Sequence, residues 1–186
     1  MDETALIERC RAREREAQRE LYEKYSRRIY NLALRMTRNA DDAFEIAQDT
    51  FVRAFERIDS FDRRSQFGTW LHRIATNEAL QLLRRRKIRQ KHLRLIAESR
   101  TAQTDHNPET DYEDLEEALA RLSGEARAIL LLRYQEGFDY AAIGEVLGCP
   151  PGTVASRLSR ARAELRRNLD DSGATAEGKG MSKHPT

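Results

Sequence analysis

Arginine and serine side chains recur along a predicted helix near the end of the chain, in residues 151–168. A short apolar helical pattern at residues 140–147 precedes it across a Gly-Cys-Pro turn. Gly148 can adopt the positive backbone dihedral that ends the first helix, and Pro151 is tolerated in the first turn of the second. Two short helices joined by a tight turn, with arginines on the second, fit the major groove of DNA. The alternative is a surface helix with a solvated basic face.

The arginine-bearing helix divides into an apolar stripe and a polar face. An apolar residue recurs every three or four positions and predicts the buried side: Val154, Leu158, Ala161 and Leu165. The polar residues supply the candidate contacts to bases and phosphates: Thr153, Ser156, Arg157, Ser159, Arg160 and Arg162.

A second group of candidate residues lies in the first half of the chain, in residues 61–77. Aromatic residues bound a polar loop that leads into a predicted helix. Aromatic rings stack on unpaired bases, and an amide can hydrogen-bond to a base edge, so this segment fits a single nucleotide strand. The alternative for Trp70 is a plain anchor of the core. The candidate contacts are Phe61, Arg63, Arg64, Ser65, Phe67, Trp70, Arg73 and Asn77.

A dense basic run follows at residues 84–94, where seven of eleven residues are Lys or Arg and none is acidic. Such density favours contact with phosphates, which positions a protein on DNA without reading sequence. The alternative is a solvated helix end. Residues 95–121, by contrast, carry two basic and eight acidic side chains. The phosphate candidates are Arg84, Arg85, Arg86 and Lys87.

Helices must position these residues, because apolar residues along most of the chain recur at three- and four-residue intervals. One helix carries Leu21 to Met36, the next begins near Asp41, and a third runs from about Thr69 to Arg86. The fold class predicted is all-α, with two small helical domains joined by a flexible linker. The predicted bounds are 1–90 for the first domain, 91–112 for the linker, 113–168 for the second domain and 169–186 for a disordered tail.

Two segments together resemble one known family. Residues 42–53, followed by FGTWLHRIATN, are similar to region two of bacterial RNA polymerase sigma factors of the extracytoplasmic-function group. The segment LSGEARAILLLRYQEGFDYAAIGEVLGCPPGTVASRLSRARAEL is similar to region four of the same family. Both occur in the family's order within residues 17–168. The resemblance implies a sigma factor, which directs core polymerase to promoters and starts DNA opening, and is not an enzyme.

The resemblance also implies partners and residue roles. The loop at residues 60–66 and the helix that bears Trp70 and Asn77 would melt the minus-ten element, and the arginine-bearing helix would enter the minus-thirty-five major groove. The implied partners are promoter DNA, RNA polymerase core through its β′ clamp and β flap, and an anti-sigma factor. The residues implied to contact the clamp are Gln48, Asp49, Phe51, Arg53 and Arg57. Without the resemblance, these residues fit a charged outer face that needs no partner.

Composition argues against several other classes. No apolar run approaches eighteen residues and the N-terminus has no apolar signal core, so we expect a cytoplasmic protein without membrane insertion. Cys10 and Cys149 stand alone and the four histidines are scattered, so we expect no metal and no cofactor. A small helical nuclease would need clustered carboxylates or histidines. The remaining alternative is a helix-turn-helix regulator that binds DNA without polymerase.

Overall fold

The structure is a computed structural model that describes residues 2–96 and 111–177. Within these ranges every regular element is helical, which confirms the all-α prediction. The elements are α1 (Glu3–Arg11), α2 (Arg15–Thr37), α3 (Ala40–Glu56), a 3-10 turn (Ile58–Ser60), α4 (Phe67–Ile96), α5 (Asp111–Arg121), α6 (Gly124–Tyr134), α7 (Tyr140–Leu147) and α8 (Pro151–Glu177).

Helices α1 to α4 form the first half of the molecule around one apolar core. Helix α2 ends where Arg38 adopts a left-handed φ of 55°, and the side chain of Asn39 then accepts a hydrogen bond from the amide of Asp42 at 2.8 Å. This side-chain cap starts α3. Aliphatic and aromatic side chains from all four helices fill the core, including Leu6, Leu21, Ile29, Phe51, Phe67 and Leu71.

Two helices extend further than the sequence predicts. Helix α4 continues to Ile96, although the predicted helix ends near Arg86 and the linker begins at residue 91. Residues 86–96 contain neither glycine nor proline, so nothing in the backbone stops the helix there. Helix α8 continues to Glu177, where we expected a disordered tail from residue 169. Extending a formed helix is cheap, because nucleation is the costly step.

The remaining parts of the predicted linker and tail, residues 97–110 and 178–186, lie outside the described residues. The predicted linker and tail therefore have no structural counterpart to compare over these ranges.

Helices α5 to α8 form the second half around a core of their own. Leucine, isoleucine and valine side chains from all four helices meet there, and the predicted stripe of α8 is buried at Val154, Leu158 and Ala161, with Leu165 half-buried. Arg127 is buried as well. Its guanidinium donates to the carbonyls of Leu119 and Ala120 at 2.9 and 2.7 Å, so it caps the end of α5. Burial lowers the pKa of Arg127.

The turn between α7 and α8 has the geometry that the sequence predicts. The Asp139 carboxylate accepts from the amide of Ala142 at 2.8 Å and caps α7. Gly148 ends α7 with a φ of 65°. A Cβ atom on Gly144 would lie 2.6 Å from the carbonyl oxygen of Cys149, so only glycine allows the chain to fold back this tightly.

The two halves pack against each other through a third apolar cluster. Helix α2 contributes Leu32 and Met36 and helix α4 contributes Leu80, while Ala128 and Leu131 come from α6. The Arg127 guanidinium also donates to the Met36 carbonyl at 2.5 Å, at the end of α2. The halves therefore form one continuous packed body in this structure, an arrangement that helical spacing alone did not predict.

We expect Gly144→Ala to lower the free energy of unfolding by about 2 kcal/mol, because the new methyl group must displace the turn backbone. Gly152→Ala is the matched control, since a Cβ at that helical position meets nothing within 4 Å. Urea denaturation followed by circular dichroism measures both. Equal stability of the two variants would contradict the tight turn.

Candidate nucleic-acid interface

One face of α4 carries three of the predicted base-contacting residues. Trp70, Arg73 and Asn77 are spaced three and four residues apart, so they lie on the same side of the helix. Arg73 and Asn77 are exposed, and Trp70 is half-buried. This face offers one aromatic ring, one guanidinium and one amide in a row.

The aromatic residues around this face have different roles from those predicted. Phe61 and Phe67 are only 3% and 1% exposed, so neither can stack on a base in this structure. This corrects the prediction that both contact DNA. Their rings lie 5.3 and 5.6 Å from the ring of Trp70, measured between centroids. They therefore form the apolar support beneath Trp70, because large apolar side chains are stabilised by burial.

The predicted loop residues are accessible, but ion pairs hold two of them. Arg63 adopts a left-handed φ of 61° and pairs with Glu8 of α1. The Arg64 side chain is 88% exposed and lies 2.9 Å from the Asp62 carboxylate. Ser65 is half-buried. The loop thus presents polar side chains, two of which are held in ion pairs.

Two of the four predicted phosphate contacts are paired with carboxylates. Arg84 lies 2.9 Å from Glu125 of α6, and Arg86 lies 2.5 Å from Asp42 of α3. Arg85 and Lys87 are exposed on the same helix. A phosphate would have to compete with Glu125 for Arg84 and with Asp42 for Arg86.

The outer face of α8 is exposed as predicted. Thr153 is half-buried at its start. The Arg160 Nε donates to the carbonyl of Ser156 at 3.3 Å, which lays the side chain along the helix. The exposed polar residues of this face are Ser156, Arg157, Ser159, Arg160 and Arg162.

The two candidate DNA faces meet at one cleft. A cavity of about 250 Å³ lies between α4 and α8. Asn77 and Arg84 line it from α4, Glu125 from α6 and Arg157 from α8. Residues predicted to contact different parts of DNA therefore face each other across this cavity.

A larger groove lies between α2 and α3, with a volume of about 510 Å³. Phe44 is 64% exposed and Val52 is 49% exposed, and both line this groove with Gln48 between them on α3. Tyr22 and Tyr30 line the opposite wall. We call this the α2–α3 groove. An apolar groove of this kind is a candidate binding surface for another macromolecule.

Two of the predicted clamp-contacting residues, Gln48 and Phe51, line this groove. Gln48, Asp49 and Arg57 are exposed. Phe51 is 4% exposed and packs in the core, so it can contact a partner only at the floor of the groove. Arg53 lies 2.9 Å from Glu78 and ties α3 to α4.

Sequence reasoning missed Phe44 and Val52. Both are apolar, and they lie eight residues apart with Gln48 midway, so they share one side of α3. That side adjoins the buried stripe through Ala43 and Ile46, and Phe51 lies within about 20° of Phe44 around the helix axis. An apolar arc wider than the core alone requires was the available signal.

A buried carboxylate links the two halves next to the candidate DNA faces. The Glu136 side chain is 2% exposed, and it lies 3.0 Å from Nε2 of His72 and 3.1 Å from the Arg28 guanidinium. Burial alone would raise the pKa of Glu136, but the hydrogen bonds and charges of His72, Gln135 and Arg28 lower it below its ordinary value of 4.5. The carboxylate is therefore charged at neutral pH.

The described residues contain no group of three or more His, Cys, Asp or Glu side chains that could hold a metal ion. Within the same ranges, no helix combines the length and the apolar character needed to cross a membrane.

Comparison with known sequences finds two family regions in this chain. The Sigma-70 region 2 family matches residues 21–89, and the Sigma-70 region 4 family matches residues 112–165. The chain is 40% identical over 157 residues to the ECF RNA polymerase sigma factor SigE of Mycolicibacterium smegmatis, covering 81% of this chain and 60% of that protein. It is 33% identical over 181 residues to the ECF RNA polymerase sigma factor SigW of Bacillus subtilis, covering 89% and 95% of the two chains.

Two solved structures share the fold. One is the sigma factor RpoE of Bartonella quintana in complex with the anti-sigma factor NepR, with a TM-score of 0.65 and 27% identity over 82% of this chain and 96% of that chain. The other is CnrH in complex with the cytosolic domain of CnrY, with a TM-score of 0.68 and 25% identity over 90% of this chain and 96% of that chain.

We expect Glu136→Gln to lower the free energy of unfolding by about 2–3 kcal/mol at pH 7, because a neutral amide pairs less well with Arg28 and His72. Folding lowers the pKa of Glu136, so its carboxylate stabilises fully above pH 4.5 and loses this contribution as the pH falls further. The difference between wild type and variant should therefore shrink in acid. Urea denaturation between pH 7 and pH ~3 measures it. The exposed Glu145→Gln is the control, and a difference that is constant with pH would contradict the buried ion pair.

Proposed function

The chain belongs to the extracytoplasmic-function group of sigma-70 family sigma factors, which direct RNA polymerase to promoters, and from this premise we propose how its surfaces divide the task. Sigma factors are DNA-binding polymerase subunits rather than enzymes. Two family regions occur in order along the chain, at residues 21–89 and 112–165, and each half carries its own exposed polar face. This pairing is the observation that carries the proposal.

The exposed face of α4 is proposed to engage the minus-ten element as a single strand. Trp70, which is half-buried, offers the exposed part of its ring to a base, and the exposed Asn77 offers an amide to a base edge. The loop at residues 60–66 would take up one flipped base. Unstacking a base costs a few kcal/mol, which stacking and hydrogen bonds must return, so no ATP is needed. Arg85 and Lys87 would hold the neighbouring phosphates.

The outer face of α8 is proposed to enter the major groove at the minus-thirty-five element. Ser156, Ser159 and Arg160 are exposed at the start of the helix, where side chains of a helix-turn-helix reach base edges. Arginine pairs with guanine through two hydrogen bonds, worth about 1–3 kcal/mol of discrimination. Arg157 would contact a phosphate or a base once the cleft opens.

The α2–α3 groove is proposed to dock on the β′ clamp of the polymerase. Phe44 and Val52 supply exposed apolar area, and Ser26, Arg27 and Gln48 supply polar groups around it. Asp49 and Arg57 are exposed on or just after the same helix. Interfaces combine an apolar centre with such a rim. Water would cover this apolar area in the free chain, so burial against a partner is favourable.

A second apolar groove is proposed to receive the β flap. It lies on α5, α6 and α8 with a volume of about 260 Å³. Leu115, Leu119, Leu130 and Leu165 line it, beside Tyr134, which is 63% exposed. Each half of the chain would then carry one polymerase contact and one DNA contact.

The two halves are proposed to part when promoter is bound. The minus-ten and minus-thirty-five elements lie about 25 base pairs apart, roughly 85 Å of DNA at about 3.4 Å per base pair. Asn77 and Arg157 line one small cleft in this structure. They cannot reach both elements from there, so polymerase must separate the halves.

An anti-sigma factor is proposed as the partner of the free chain. A similar solved structure is a sigma factor in complex with an anti-sigma factor, and its similarity to this chain extends over 82% of it. A partner that binds the packed halves would prevent the faces of α4 and α8 from contacting promoter DNA. Since polymerase and promoters are in the cytoplasm, we place the protein there.

Run-off transcription tests the proposed function. Sigma-free core polymerase is mixed with the chain and a duplex promoter selected from genomic fragments that the mixture retains. We expect a transcript on this template and on its pre-melted form. Binding to duplex DNA without any transcript on either template would instead support a helix-turn-helix regulator.

We expect Phe44→Glu to weaken binding to core polymerase by about tenfold or more, because a charge would be buried at the centre of the interface. Leu93→Glu is the matched control, since Leu93 is 56% exposed and lies near the far end of α4. Fluorescence anisotropy of the labelled chain with core polymerase measures both without DNA. Equal affinities for the two variants would rule out the α2–α3 groove as the docking surface.

A further inference from the structure

Helix α1 contacts the loop that the proposed function assigns to the flipped base. This helix lies before residue 21, where the match to the region 2 family begins. Leu6, Ile7 and Cys10 bury one side of α1 in the core of the first half. Polar residues on the other side, and just after the helix, reach the chain between α3 and α4, more than 40 residues away in sequence.

Arg11 makes the central contacts. Its guanidinium donates to the carbonyl of Phe61 at 2.5 Å and approaches the carbonyl of Ile58 at 3.5 Å. A third nitrogen donates to the Glu8 carboxylate at 2.9 Å, which orients the guanidinium. The Arg11 side chain is only 27% exposed, so its contacts are partly shielded from water. One side chain thus fixes two backbone oxygens at the entrance of the loop.

Arg13 and Glu8 extend this bracing on both sides. The Arg13 guanidinium donates to the carbonyl of Phe55 at 2.6 Å, in the last turn of α3, and to the Asp59 carboxylate at 3.1 Å. A cation suits a helix C-terminus, where carbonyls lack partners within the helix. Glu8 also pairs with Arg63, whose left-handed φ of 61° is unfavourable for a residue with a side chain.

We propose that Glu8, Arg11 and Arg13 are positioning residues that fix the chain after α3, and with it the loop at residues 60–66, in the shape needed to accept a minus-ten base. The inference rests on the proposed function of that loop. Arg64, which would face DNA, pairs with Asp62 within the loop. A base pocket discriminates best when its walls are fixed before binding. The contacts from α1 provide that fixation from outside the DNA surface.

The test uses holoenzyme reconstituted from core polymerase and the full chain as Arg11→Ala, Arg13→Ala or the double variant. Arg19→Ala is the matched control, because it removes an exposed arginine of the same half whose ion pair is to Glu23. Three quantities are measured: affinity for core polymerase, the rate of promoter opening on duplex template, and transcription from templates with each minus-ten base replaced in turn. Thermal unfolding of each free chain monitors folding.

We expect the double variant to open duplex promoter about tenfold more slowly, with core affinity within about twofold of wild type. Preference among bases at one minus-ten position should fall by about tenfold, while the other positions keep theirs. Arg13→Ala, whose side chain is 54% exposed, should show the same pattern more weakly and keep the melting temperature of wild type.

Two results would overturn the inference. One is wild-type base preference and opening rate in the double variant. The other is an equal loss of core affinity, opening and preference at every position, which would mean that α1 only stabilises the fold. If wild-type holoenzyme itself produces no transcript, the proposed function fails first; if it transcribes and the double variant matches it, only the role of α1 fails.

Discussion

The buried carboxylate of Glu136 joins the two halves of the molecule, and the relation between their surfaces depends on it. Glu136 lies between α6 and α7. Its carboxylate contacts Arg28 of α2 and His72 of α4. His72 in turn contacts the carbonyl of Gly68 at 2.7 Å in the first turn of α4. The beginning of the DNA-facing helix is therefore tied directly to the second half. Breaking such a contact leaves buried charge without a partner, so the packed arrangement is strongly favoured while this contact lasts.

Aromatic residues in the first half are divided between support and contact. Phe61 and Phe67 are buried beneath Trp70, and Phe51 is buried beneath Phe44 and Val52. In both places buried aromatic rings support a more exposed side chain. A surface that unstacks a nucleotide base or binds a large subunit needs rigid support. A flexible support would deform on binding, and part of the binding energy would be lost to that deformation.

Local features of the fold were predictable from the sequence, because they arise from neighbouring residues. Asn39 and Asp139 begin helices and Gly148 ends one, as their side chains and backbone freedom dictate. The break between α1 and α2 was not predicted, since Arg13 has a left-handed φ of 62° without being glycine. The packing of the halves depends on contacts between residues distant in sequence.

The candidate surfaces were predicted less evenly. Residue type identified the polar faces of α4 and α8, but it could not separate Phe61 from Trp70, because burial of an aromatic ring is set by its neighbours in space. Glu136 lies in a sequence that resembles an ordinary turn, so nothing local marked its burial. Phe44 and Val52 did carry a signal, because they widen the apolar arc of α3 beyond its buried stripe.

Helix α4 runs without interruption for 30 residues, from Phe67 to Ile96. Trp70 and Lys87 are 17 positions apart on it, which sets them about 26 Å apart along the helix axis, the length of seven or eight base pairs. A continuous helix cannot change its length to fit different promoters. On the proposed assignment, α4 therefore fixes the distance between the flipped base and the phosphates upstream of it, and this distance is the same in every promoter that the protein recognises.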